Sequence, residues 1–196
     1  MTDSQQFSSN IPSHKASLLL SLKGRKIRGI TRYSTISVGD AIGEMYRIPN
    51  NQVFTRAPGP ISIAFDDGLN IGCANDPSLN SVITWVIRNE IGDKGEGAVI
   101  SREDLYPVDA LDTVFSTTVW HTIVGQCIVD VKIIKMKPRN ALYERLPNEA
   151  GIKIFLSNGS SFILSHGLHD GSDDFSAITE EFVDEELKSL IYSVDL

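Results

Sequence analysis

The sequence predicts an α+β fold that is mostly antiparallel β, built from two related strand–hairpin–strand halves with a C-terminal helix. Three observations lead there. Apolar residues alternate at Ile61, Ile63 and Phe65 and resume at Leu69, Ile71 and Cys73, with Asp67-Gly68 between the runs. The same phase recurs at Ile152, Ile154 and Leu156 and at Phe162 and Leu164, with Asn158-Gly159 at the turn. Alternation with period two marks half-buried strands, and Asp-Gly or Asn-Gly between them suits a type I′ hairpin, which needs positive φ at both central positions. Third, Leu22-Lys23-Gly24-Arg25-Lys26-Ile27-Arg28-Gly29-Ile30 and Ile123-Val124-Gly125-Gln126-Cys127-Ile128-Val129-Asp130-Val131 share one pattern: apolar, x, Gly, x, x, Ile, x, x, Ile or Val. No strand–helix–strand alternation of the kind that builds parallel sheets is visible.

Taken in order, residues 1–14 read as a flexible polar leader. Leu18-Leu19-Leu20 follows, too short for the apolar core of an export signal. A strand then begins at Ile27, a long connection covers 34–58, and the first hairpin follows. Ser81-Val82-Ile83-Thr84-Trp85-Val86-Ile87 is rich in β-branched and aromatic residues and reads as a closing strand. Glycines at 92, 95 and 97 mark 92–102 as a linker. The second half repeats the plan, and Ser176-Ala177-Ile178-Thr179 matches Ser81-Val82-Ile83-Thr84. Apolar residues at 178, 182, 183, 187, 190 and 191 follow helical spacing, with Thr179 placed to cap a C-terminal helix. The expected organisation is a single domain over 15–196, made of halves at about 15–91 and 116–196 joined by 92–115.

Composition narrows the function classes. The chain has 196 residues and a net charge of −7, which disfavours general nucleic-acid binding because that relies on clustered Lys and Arg. No stretch approaches the roughly 18 apolar residues that span a bilayer, so a cytoplasmic protein with no membrane partner is expected. Cys73 and Cys127 each lie in a strand-like run and read as buried thiols rather than a disulfide. Charge is also segregated. Lys15, Lys23, Arg25, Lys26, Arg28 and Arg32 form a basic run without acids, whereas 170–196 is dense in acids with Lys188 alone opposing them. The two runs read as solvated faces or as ends that pair across the fold, or the acidic end is free to steer a basic partner. Lys132, Lys135, Lys137 and Arg139 make a second basic stripe, suited to pairing with the acidic C-terminal segment or guarding an edge strand.

Chemistry has one candidate location, Ser165-His166-Gly167-Leu168-His169-Asp170-Gly171-Ser172-Asp173-Asp174. Imidazole and carboxylate are suitable ligands for zinc or manganese, so a metal-dependent hydrolase using His166, His169 and Asp170 is one reading. The spacing matches neither a His-Glu-x-x-His helix nor a calcium loop. A polar loop after a hairpin strand, with His166 or Asp170 bonding local backbone, is a second reading, and a loop that contacts a partner is a third. His121, beside Trp120, reads as packed. No nucleophile elbow or phosphate-cradling glycine loop appears. A non-enzymatic protein with no cofactor and no resident metal is therefore expected. A small-ligand or scaffold module is the remaining alternative.

The glycine–isoleucine pattern at 22–30, then Arg32-Tyr33, then Gly59-Pro60-Ile61-Ser62-Ile63-Ala64-Phe65-Asp66-Asp67-Gly68, resembles small bacterial immunity proteins of polymorphic and contact-dependent toxin systems. The resemblance covers most of the first half and recurs more weakly in the second. It implies a cytoplasmic protein that binds and neutralises a cognate toxin domain, and it carries over no binding residues. An acidic chain suits a basic toxin such as a nuclease. The residues placed to meet that partner are His169, Asp170, Asp173, Asp174, Glu180, Glu181, Asp184 and Glu185.

Overall fold

A computed structural model describes residues 8–95 and 104–196. Most of the linker read at 92–102 lies outside the described residues, as does the leader before Ser8. Strands β1 (Ile27–Ser34), β2 (Ile61–Phe65), β3 (Asn70–Asp76), β4 (Ser81–Arg88) and β5 (Tyr106–Asp109) form one five-stranded sheet in the order β4-β3-β2-β1-β5. Strands β6 (Ile128–Met136), β7 (Gly151–Leu156), β8 (Ser161–His166), β9 (Phe175–Ile178) and β10 (Ile191–Asp195) form the other, in the order β10-β6-β7-β8-β9. The neighbours pair antiparallel, so the fold is mostly antiparallel β with short helices.

Read from opposite ends, the two sheets have the same strand order, and the likeness extends to details. Gly24 and Gly125 hold φ of +84° and +92°, and each precedes the first strand of its sheet. Both first strands also slip register near the start, between Ile27 and Gly29 and between Ile128 and Asp130. The hairpin turns match each other too, but not as type I′. Gly68 (φ +96°) and Gly159 (φ +83°) are left-handed, whereas Asp67 and Asn158 are not among the positive-φ residues. Each loop has three residues, closed by Gly68 N–H to Phe65 O and Gly159 N–H to Leu156 O. This is a type I turn followed by a glycine bulge. Asp67 and Asn158 serve it by accepting the amides of Leu69 and Ser160 on their side chains.

The compact units of the fold are not the sequence halves. One unit contains the described part of Met1–Gly24, with Ala74–Thr84 and Ile128–Leu196. The other contains Arg25–Cys73 and the described part of Trp85–Cys127. Helix α1 (Ala16–Ser21) precedes β1 in the chain, yet it belongs to the unit of β6, and the Gly24 amide donates to Ile128 O at 2.7 Å. Its Leu19 and the following Leu22 are buried, as is Ile11 within the expected leader. In the other unit the short helices α2 (Val38–Ile42) and α3 (Val53–Arg56) fill the long connection after β1. Helix α4 (Thr118–Ile123) precedes β6 but belongs with them, and Gly125 N–H donates to Ile27 O at 2.8 Å. There the Trp120 ring meets Phe54 edge-on at 4.9 Å, and the neighbouring His121 lies 3.4 Å from Asp112 O, a packed position.

The C-terminal helix is not formed as read. Ile178 ends β9, residues Glu180–Phe182 make a 3-10 turn, α5 (Glu185–Lys188) is a single turn, and the chain then enters β10. Two local features break the helix. Val183 is extended (ψ 128°), and the Asp184 side chain accepts the Glu186 amide, starting a new turn. The apolar spacing still has a purpose, because Val183 and Leu187 pack on Ile134, Ile163 and Ile178 of the second sheet. That sheet is therefore covered on both faces, since Ile152, Ile154, Leu156, Phe162 and Leu164 are buried on the other. Thr179 makes no capping hydrogen bond.

Candidate partner-binding site

The polar loop leaves β8 at His166 and returns at Phe175, the start of β9. Gly167 is required at its first bend, because φ is +64° and an added Cβ would overlap Ser172 O. Leu168 is fully buried and anchors the loop from below. The bends are tied by Gly171 N–H to Gly167 O at 2.8 Å, Gly167 N–H to Asp174 O at 2.9 Å and Leu168 N–H to Ser165 Oγ at 3.0 Å. Asp184 N–H donates to Leu168 O at 2.8 Å, which fastens the C-terminal segment to this loop.

His166 is 2 % exposed. Its Nδ1 lies 3.1 Å from Asn75 Nδ2 and its Nε2 lies 3.2 Å from Asn80 Oδ1. Burial pushes its pKa below the ordinary imidazole value, and the nearby carboxylates of Asp173, Asp76 and Asp174 oppose this. Asn80 continues through Nδ2 to Asn148 Oδ1 at 2.7 Å. Both asparagines are left-handed, at φ +48° and +54°, a conformation that Asn tolerates. His169 is also held in place, with Nδ1 3.2 Å from Ser176 Oγ and Nε2 3.0 Å from Asp170 Oδ2. The structure therefore brings His169 and Asp170 together and directs His166 elsewhere. Among the described residues, no three of His, Cys, Asp and Glu converge as a metal-binding group.

The acids divide into engaged and outward-facing ones. Asp170 accepts Ser172 N–H, Asp184 caps α5, Glu180 pairs with Lys153 at 2.7 Å, and Glu185 pairs with Lys188 at 2.5 Å. The exposed Asp173 faces only neutral His166, at 3.8 Å, and Asp174, Glu181 and Glu186 make no ion pair among the described residues. Lys23 pairs with Asp130, Arg25 with Asp67 and Glu90, and Lys26 with Asp66. In the second stripe Lys132 does reach the C-terminal segment, at Asp195, but Lys135 pairs with the buried Glu149.

A groove of about 360 Å³ includes Glu180, Lys153 and Lys188 in its lining. Its apolar wall includes Ile134, Ile163, Val183, Ile191 and Tyr192, and the Lys153–Glu180 pair closes its polar side. Phe182 and Tyr192 are 54 % and 48 % exposed. Neither was expected at a surface, because helical periodicity places Phe182 on the buried side and gives no signal for Tyr192. The asparagine network was equally illegible, since Asn75 and Asn80 are 91 and 86 residues from His166 in the chain.

No protein family, curated protein or solved structure matches this chain. No helix among the described residues is long and apolar enough to cross a membrane. Both cysteines are free thiols, Cys73 buried and Cys127 partly so.

Proposed function

We propose that this chain is a non-enzymatic, cytoplasmic binding protein that masks a basic protein domain, as an immunity protein masks its cognate toxin. The loop at 169–174 and the segment at 180–192 form the contact. The observation that supports this reading is the pair of exposed aromatics, Phe182 and Tyr192, in an acid-rich segment, with Tyr192 lining an apolar groove. Aromatic anchors supply contact area at low entropic cost, while a concentrated negative field speeds encounter with a basic partner. A basic nuclease domain has the matching charge. The hydrolase reading lacks comparable support, because His166 uses both ring nitrogens within the fold and stands apart from His169 and Asp170.

Co-purification from the native host, followed by binding kinetics on the recovered partner, tests the proposal. Asp173→Lys combined with Asp174→Lys should slow association at low salt by about tenfold and lose that effect in high salt. Phe182→Ala should act mainly on dissociation, as interface truncations do. Unchanged kinetics in both variants with an identified partner would remove this surface from consideration.

A further inference from the structure

We propose that His166 is a proton-operated latch: as the neutral imidazole it fastens the loop at 167–174 to the end of β3, and on taking up a proton it lets that loop go. The hydrogen-bond chain through this residue has a direction, set at both ends by backbone carbonyls, which can only accept. At one end Asn75 Nδ2 donates to Asp173 O, so the same amide group presents hydrogens to His166 Nδ1, which must hold a lone pair. At the other end Asn148 Nδ2 donates to Tyr143 O at 2.7 Å and Leu146 O at 2.8 Å. Its Oδ1 therefore accepts from Asn80 Nδ2, which leaves Asn80 Oδ1 to accept from His166 Nε2. Only the neutral ring with hydrogen on Nε2 satisfies every member.

A second proton on Nδ1 sets N–H against the Asn75 NH₂. Turning the Asn75 amide over would relieve that clash, but it would bring Oδ1 against Asp173 O and break the tie to the loop. In either arrangement one contact is lost, and the ring atom that loses it is 2 % exposed as part of His166, whereas the Asn75–Asp173 tie at the loop is open to solvent. The charged and titratable groups around the ring are Asp173 and Asp174 from the loop, Asp76 from the end of β3, and Arg139 and Tyr143 across a cavity of about 30 Å³. The three carboxylates favour the cation, whereas burial, the larger influence, disfavours it. A histidine whose folded pKa is depressed contributes stability that is complete above its ordinary value of 6.5 and is lost as pH falls through the folded value. The latch thus opens on the acidic side of 6.5.

Nitrogen-15 NMR of the imidazoles, with amide hydrogen exchange from pH 7.5 downward, tests this on the intact chain without any partner. At pH 7.5 His166 should show an unprotonated Nδ1 and a protonated Nε2. On acidification, protection of the Leu168 and Gly171 amides, corrected for intrinsic exchange, should fall at least tenfold along the His166 titration curve. His166→Gln, which keeps a donor and an acceptor but does not titrate, should abolish that fall. Asn75→Ala should leave the loop loose already at pH 7.5 and unresponsive to acid, which provides the test if the glutamine variant does not fold. A protonated Nδ1 at pH 7.5, loop protection unchanged through the titration, the same acid response in Asn75→Ala, or global unfolding before His166 titrates would each overturn the proposal.

Discussion

Four backbone carbonyls converge on the guanidinium of Arg32, which is fully buried: Nε donates to Phe54 O at 2.5 Å, Nη1 to Ala57 O at 2.7 Å and Gly59 O at 2.9 Å, and Nη2 to Thr55 O at 3.0 Å. The last carbonyls of α3 have no partner within the helix, and one side chain satisfies them together. Burial pushes its pKa down to about 9, which still leaves it charged at neutral pH. In the sequence Arg32 looks like one more member of a solvated basic run. Arg32→Met, which keeps most of the volume, should destabilise the protein by about 3 kcal/mol or more in urea unfolding, because the carbonyls lose their donors. Arg32→Lys should recover only part of this, since an ammonium lacks the planar fork that reaches all four.

At the scale of elements, α1 and α4 belong to the units opposite the strands they precede. Leu19 on α1 is 1 % exposed in the unit of β6, although its sequence repeat is that of β1. Leu19→Ala should cost about 2–5 kcal/mol, the usual range for a buried leucine. Hydrogen exchange should report the loss first at β6 amides such as Val131 and Ile133, ahead of those in β1. A larger effect on β1 would show that the helix supports its own repeat. The segment after β9 carries a related lesson. Its helical spacing is real, but a one-turn helix and a strand place Val183 and Leu187 on the sheet just as well, and Asp184 supplies the local break.

For the whole molecule, interleaving means that neither sequence half contains a complete unit. A fragment ending near residue 95 lacks β6 to β10, the partners of α1. A fragment starting near residue 104 lacks α1 and residues 74–84, which supply Asn75 and Asn80 to His166 and Ser81 to the Glu149 amide. Each fragment expressed alone should show the circular dichroism and proteolytic sensitivity of an incompletely folded chain. The two co-expressed should associate into a protease-resistant complex. Independent cooperative folding of either fragment would contradict the interleaving.

The sequence by itself determined the first strand of each half, both hairpins, the repeat and its register, because period-two alternation and turn glycines are local, whereas β5 lay in the connection read at 92–115 and β10 in the segment read as helix. It also located the acidic loop and the acid-rich end. Tertiary structure alone decided which helix packs on which sheet, since α1 and α4 have the same apolar character and nothing in either names its partner. It decided as well which acids are engaged, through lysines at 153 and 188 and the cap at Asp184, and which make no ion pair among the described residues, at 174, 181 and 186. It placed Asn75 and Asn80 against His166, turning a residue read as a possible ligand into the centre of a closed hydrogen-bond chain. Contacts between residues so far apart in the chain have no periodicity to betray them, because they are selected by shape and by the need to pair every buried polar group.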